Sequence, residues 1–294
     1  MATSRELRNK IRSISNTKKI TRTMEMIATA KSVVCQKRIE AVQPYGDKLT
    51  EMLRDLKDGA GEEATNFPLL RVPEKPTSEA VIVITANRGL CGGYNANTLR
   101  LAERHMEQRR SQGVTCEAHV IGKKGIARFR FLGVDAAATY AQFDDQPAFG
   151  ESEKVIEGLL ARFASGELDA VTIVSTRYVN AARQVPRVHP VLPIAADEKD
   201  AEAASDEHSA GGNFLFEPNP EEIISTLLPL SLKMQLFQAL VEAATSEQIA
   251  RRIAMKNATD NAEEMVKDYT QLYNRTRQAG ITQEILEIIG GSAV

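Results

Sequence analysis

Tryptophan is absent from the 294 residues, and aromatic residues make up only 5% of the chain. Compact enzyme cores of this size hold more of them, so the shortage suits a chain with much of its length in thin helices. No run of about 18 apolar residues occurs, so no segment is expected to span a membrane. The N-terminal stretch MATSRELRNK lacks the apolar centre of a secretory signal. It also joins a periodic helix, so a cleavable transit peptide is not expected either. Cysteine is scarce: Cys35, Cys91 and Cys116 lie far apart, with no C-x-x-C pair. That spacing signals neither a zinc site nor a redox motif and reads as free thiols in a reducing cytosol. His105, His119, His189 and His208 have no neighbours at metal-ligand spacing, so no metal or cofactor is expected.

Catalytic signatures are also missing. Asn87-Arg88-Gly89-Leu90-Cys91-Gly92-Gly93 is a glycine-rich turn between a strand and a helix, the place where a dinucleotide or phosphate loop would sit. Its spacing matches neither G-x-G-x-x-G nor G-x-x-x-x-G-K-[ST]. Gly122-Lys123-Lys124 fails the second pattern because Glu117 stands where a glycine is needed. Tight turning and close backbone packing account for these glycines.

The net charge of -2 conceals an asymmetry. Residues 1–40 hold ten Lys/Arg and three Asp/Glu, a balance of +7, while 197–207 (DEKDAEAASDE) is strongly acidic. The basic residues lie all round a helix, without interleaved aromatics or a reading motif. An acidic protein partner explains them as well as nucleic acid would.

Two periodicities organise the chain. Thr3 and Glu6 form a capping box, and no proline precedes Pro44. Leu7, Ile11 and Ile14 recur at helical spacing, and after a shift of register Ile20, Met24, Ile27, Lys31, Val34, Arg38 and Ala41 continue it. This predicts a heptad helix with a partly polar seam, bent at Pro44 and finished by Gly59 and Gly61. Polar seam positions such as Lys31 and Arg38 suggest a surface that faces other protein part of the time. Residues 59–77 read as a linker. From Ala80 the period changes: buried strands at Ala80–Ile84, His119–Ile121 and Val171–Val174 alternate with helices near 97–112, 123–132 and 151–164. A further strand is expected at Val134–Tyr140. This is the pattern of a parallel three-layer sheet, with Pro186, Pro190 and Pro193 marking an edge or the outside of it. Residues 197–213 read as an acidic surface loop. Asn219-Pro220-Glu221-Glu222 then starts a helix, interrupted only by Pro229 before Gly280. Met255, Ala258, Ala262, Met265, Tyr269, Leu272, Thr276 and Ala279 form its expected seam.

The fold class expected is α/β with long helices. It has an antiparallel coiled coil of terminal helices (1–58 and 214–294) and a central Rossmann-like domain over 78–196.

Three segments carry a family resemblance: Ile14–Ala30 (ISNTKKITRTMEMIATA), Asn87–Asn95 (NRGLCGGYN), and Met255–Ile289 ending in AGITQEILEII. In order and spacing they resemble the gamma subunits of F-type ATP synthases across nearly the whole chain. The resemblance implies a non-catalytic rotor shaft. Its coiled coil would sit inside a hexamer of alpha and beta subunits. Its α/β domain would meet the epsilon subunit and the membrane ring of c subunits. Membrane contact would be indirect, at the cytoplasmic face of a bacterial plasma membrane, with no nucleic acid partner. Arg277, Gln278, Thr282 and Glu284 match positions near the beta-subunit catch loops, and Met24 and Arg251 are further candidates for alpha/beta contact. Phe214 and Phe216, in an otherwise polar loop, are candidates for epsilon or c-ring contact. Asn87 stands where the family usually has an acidic residue, and the cysteine-bearing insertion of chloroplast relatives is missing. Two other readings remain open on the residues alone: a nucleotide-binding α/β enzyme with coiled-coil arms, and a generic coiled-coil scaffold.

Overall fold

Helix α1 (Ser4–Ala60) opens the chain. It is followed by β1 (Ser78–Ile84), α2 (Tyr94–Ser111), β2 (Thr115–Ile121), α3 (Lys123–Phe131), β3 (Ala138–Tyr140) and α4 (Phe149–Ala164). Strands β4 (Ala170–Asn180) and β5 (Arg183–Leu192) lead to a second long helix, α5 (Pro220–Gly291). The computed structural model describes residues 4–60, 67–194 and 220–291. The capping residue Thr3, the acidic stretch 197–213 and the pair Phe214 and Phe216 lie outside the described residues.

The chain divides into two compact units. One comprises Met1–Ala30, Leu90–Gly92 and Ile249–Val294. In it α1 and α5 run antiparallel. The Lys10 ammonium lies 5.7 Å from the Tyr269 ring centre, Lys18 pairs with Glu263 at 3.1 Å, and the Thr21 and Thr259 hydroxyls meet at 2.9 Å.

The other unit comprises Lys31–Gly89 and Gly93–Gln248 and carries the sheet. Strand order is β3-β2-β1-β4-β5. The first four strands are parallel, and β5 closes one edge antiparallel to β4. Val81, Ile82 and Val83 are fully buried, because a central parallel strand is covered on both faces. One face packs Val81, Val83 and Val120 against Leu99, Ala102 and Met106 of α2 and Phe129 of α3. The other packs Ile82 and Ile173 against Ile156 and Phe163 of α4 and against Leu228, Leu232 and Leu236 of α5. Outside α5, α1 adds Ile39 and Leu49 to Met234, Phe237 and Val241. By length and composition, part of α5 is apolar enough to cross a membrane, but half of that stretch is buried. The leucines just named show it to be a core helix. Pro186 and Pro190 are accommodated in β5 because it is an edge strand.

The seams differ from the expected ones. No register shift occurs in α1. From Leu7 to Leu53, every position reached by alternating steps of four and three is buried or half-buried. Midway these positions are Lys18, Thr21, Glu25, Ala28, Ser32 and Cys35. Ranking by hydrophobicity had favoured Ile20, Ile27 and Val34, which are 60%, 53% and 50% exposed. Small residues win the seam because they let backbones approach, and Ala28 and Ser32 are each 1% exposed. In α5, Met255, Ala262, Tyr269 and Thr276 lie inward as expected. Their intervening partners are Thr259, Val266 and Tyr273, while Met265 and Leu272 are 45% and 43% exposed. Nor are Lys31 and Arg38 held open for another protein. Lys31 pairs with Asp145, and Arg38 donates to the Pro147 carbonyl at 2.5 Å. Residues 134–137 do not join the third strand, which is limited to Ala138–Tyr140, and α5 continues through Gly280.

At the foot of the sheet, Asp169 joins β1 to the turn after α4. Its carboxylate accepts from the Thr77 backbone N–H (2.8 Å) and hydroxyl (2.9 Å), from Ser78 N–H (3.3 Å) and from Arg71 (3.2 Å). The Thr77 amide leads in holding its pKa at about 2. The fold thus binds the ionised form. The stabilisation is complete above the ordinary carboxylate range near pH 4 and is lost as pH falls through 2. Asp169→Asn should cost roughly 2 kcal/mol at pH 7 and progressively less towards pH 2. Urea unfolding at both pH values checks this, and an equal cost at each would contradict it.

Candidate functional site

The strand order reverses at β1, with β2 on one side and β4 on the other, so the crevice at their carboxyl ends is where an α/β sheet would take a ligand. In this chain the polar groups there serve the fold. The Ala86 N–H donates to Asn95 Oδ1 (2.9 Å), Lys123 N–H to Asn87 Oδ1 (3.0 Å) and Gly125 N–H to Thr85 Oγ1 (2.9 Å). The hydroxyls of Thr98 and Thr176 meet at 2.9 Å, and Ser246 of α5 reaches the Thr176 carbonyl at 3.5 Å. These amides and hydroxyls are the kind a phosphate would need. In the other unit, the turn tip packs on α5: a Cβ placed on Gly92 would lie 3.8 Å from Ala254. The isolated chain is therefore expected to bind ATP no tighter than about 1 mM, as titration calorimetry would show. Micromolar binding, lost on changing Gly92 and Gly93 to Ala, would favour the enzyme reading instead.

Other polar clusters are structural. Burial alone would push the Glu79 carboxyl up. Hydrogen bonds from His105, Thr172 and Arg109 overcome that and hold it at about 2. Glu117 is likewise held low against burial, by Arg162 and His119. Glu242 on α5 goes the other way, raised by burial with Arg187 3.7 Å away. Among the described residues, no group of three or more His, Cys, Asp or Glu is placed to hold a metal.

Apolar helix surface is exposed among the described residues. On α1, Ile20, Thr23, Ile27, Ala30 and Val34 repeat at three and four, outside the seam, and all are exposed. Met26 and Val33 flank them and are 56% and 48% exposed. Ile20, Ile27 and Val34 of this second stripe belong to the expected seam, whereas Met24, Lys31 and Arg38 of that seam are half-buried. The signal that separates the two is the longer, unbroken series from Leu7 to Leu53. On α5 the final turns expose Ile281, Ile285, Leu286, Ile288 and Ile289. Arg277, Gln278, Thr282 and Glu284 are exposed on the same turns, and the Thr282 hydroxyl donates to the Gln278 carbonyl at 2.9 Å. Met24 is half-buried beside the α1 seam, and Arg251 is 8% exposed.

The family model described as "ATP synthase" matches residues 3–294. The ATP synthase gamma chain of Leptospira biflexa serovar Patoc is 42% identical over 292 residues, covering 99% of each chain. That of Gemmatimonas aurantiaca is 41% identical over 293 residues, covering 100% of this chain and 99% of its own. Among solved structures, the rotor of the Euglena gracilis mitochondrial ATP synthase is similar in fold, with a TM-score of 0.63 at 20% identity. That match covers 95% of this chain and 98% of the other.

Proposed function

Since the chain belongs to the ATP synthase gamma-chain family, we propose that its exposed apolar stripes are the surfaces by which it works as the central shaft of that complex. It is a non-catalytic subunit of a complex peripheral to the membrane. Its partners are the alpha and beta subunits around the helices and the epsilon subunit and c ring at the other end. The bacterial relatives favour the cytoplasmic face of a plasma membrane as its place. The proposed shaft comprises residues 1–58 and 214–294, with 78–196 as the α/β domain.

The observation that carries this reading is apolar surface exposed among the described residues of the long helices. A face with Ile20 and Ile27 more than half exposed, on a helix already packed along its seam, calls for a further protein surface. An asymmetric shaft cannot touch three equivalent catalytic subunits alike. Each is then biased towards a different conformation, by the difference in contact energy between its states. Because such coupling is reciprocal in binding terms, hydrolysis can drive the shaft in reverse. Arg277, Gln278, Thr282 and Glu284 are proposed as polar contacts that change with angle. Met24 and Arg251 are proposed on the resemblance alone; Phe214 and Phe216, two aromatics in an otherwise polar stretch of sequence, are proposed for epsilon or the c ring.

Carrying the only affinity tag in a co-expression with alpha and beta subunits, the chain should recover both in constant ratio. The recovered complex should hydrolyse ATP while the chain alone does not. A folded chain that brings down neither subunit would refute the assignment.

A further inference from the structure

Residues 141–148, between β3 and α4, form a strap that ties the sheet to both long helices. Asn87, in the glycine-rich turn after β1, holds its start. Its Nδ2 donates to the carbonyls of Ala141 (3.2 Å) and Phe143 (2.7 Å). The Phe143 side chain is 7% exposed, in the core that α4 and α5 share with the sheet. In the middle, the two carboxylate oxygens of Asp145 are divided between helices. One pairs with the Lys31 ammonium of α1, and the other accepts from Gln248 Nε2 of α5 at 2.6 Å. The strap backbone continues the attachment. The Cys35 thiol lies 3.6 Å from the Asp145 carbonyl, and Arg38 donates to the Pro147 carbonyl at 2.5 Å. Lys31, Cys35 and Arg38 are four and three apart and so share one face of α1. Lys31 and Gln248 are also the residues at which the sheet-bearing unit ends on each helix.

Apolar packing is non-directional and tolerates small rotations of one helix on another. A hydrogen bond does not, since it weakens steeply with angle and distance. Gln248 is 2% exposed, so its amide depends on Asp145 for satisfaction. Buried and half-buried polar ties of this kind are best at specifying register. We propose that Asp145 is a positioning residue for energy coupling: by gripping α1 and α5 at once, it fixes their rotational setting in the α/β unit, so that torque turns both helices together. Asn87 suits the same device, because its amide can donate to the strap carbonyls and a carboxylate could not.

This inference rests on the rotor reading above. The test uses the complete complex in sealed vesicles, with ATPase rate and ATP-driven ion pumping measured together by a potential-sensitive dye. Asp145→Ala should leave assembly and ATPase within about twofold of wild type and lower pumping per ATP hydrolysed by about threefold or more. Lys31→Ala should lower the same ratio, and the double variant should be no worse than Asp145→Ala, because both remove one shared contact. A wild-type ratio in Asp145→Ala, or losses that multiply in the double variant, would overturn the proposal. Should Asp145→Ala fail to assemble, Asp145→Asn keeps the shape and an acceptor for Gln248 while removing the charge facing Lys31. A lowered ratio there supports the proposal, and an unchanged one overturns it. A wild-type complex that hydrolyses ATP without any pumping would refute the rotor reading itself, and the positioning role of Asp145 with it.

Discussion

Gly122→Ala should prevent the sheet-bearing unit from folding, at a cost of about 4 kcal/mol or more. Gly122 links β2 to α3 with φ at +95°, a conformation that L side chains rarely adopt. The conformation alone would cost about 1 kcal/mol. Space is the larger problem: a Cβ there would stand 2.1 Å from the Thr85 carbonyl oxygen and 2.7 Å from its carbon. That oxygen is backbone and cannot swing aside. Thr85 is also held in place, because its N–H donates to the Ile121 carbonyl at 2.9 Å and its hydroxyl accepts from Gly125. Making room means parting β1 from β2, where Ile82, Val83 and Val120 are fully buried. Gly133→Ala is the control. Its φ is +68°, but nothing lies within 4 Å of the added methyl, so only the conformational cost of about 1 kcal/mol is expected. Soluble yield and urea unfolding of the two variants separate the effects. Similar behaviour of both would show that close packing at Gly122 is not what limits the fold.

How much of this was legible in the sequence depended on the kind of signal. Buried strands announce themselves by composition, and Ala80–Ile84 and Val171–Val174 were placed on that ground. Long helices follow from the absence of breakers. The face a helix buries is harder to read. On α1 two series at steps of three and four compete. The more apolar one, through Ile20 and Ile27, is outside, and the one through Ala28 and Ser32 is inside. Hydrophobicity alone selects wrongly because close helix approach selects for small size, as at Ala28 and Ser32. In α5 the same competition moved alternate seam positions by one residue, to Thr259, Val266 and Tyr273. The strap was beyond any local pattern. Asp145 meets a lysine 114 positions away and a glutamine 103 positions away, and nothing near it in sequence marks it as a shared acceptor. The glycine-rich turn lacks a phosphate-loop spacing in the sequence, and its positive use, Asn87 holding residues 141–143, emerges only when β1 and β3 are brought into one sheet.

Removing residues 278–294 should lower recovery of the assembled complex and ATP synthesis by more than about tenfold, while making the isolated chain less prone to self-association. The retained part of α5 has its own seam partners on α1, so the fold of the remainder is not at issue: Thr259 meets Thr21, Glu263 meets Lys18 and Tyr269 meets Lys10. What the deletion removes is unsheathed apolar surface. Ile281, Ile285, Leu286, Ile288 and Ile289 are 48%, 51%, 63%, 72% and 60% exposed. Covering the exposed half of one such side chain contributes about 1 kcal/mol, and five together roughly 5 kcal/mol. Binding costs and imperfect fit will reduce the net value, but the difference in scale between one residue and the whole end should survive. A single alanine change, at Ile285 for example, should cost about 1 kcal/mol, within tenfold in affinity, and impair coupling only in part. Exposed polar neighbours such as Arg277 and Glu284 should matter less still, since exposed charges contribute little individually. ATP synthesis in reconstituted vesicles, measured beside ATPase rate and subunit recovery, distinguishes the cases. Wild-type assembly, synthesis and hydrolysis in the deletion variant would mean that this apolar end is not the seated end of the shaft, and that the second stripe on α1 carries the partner contact alone.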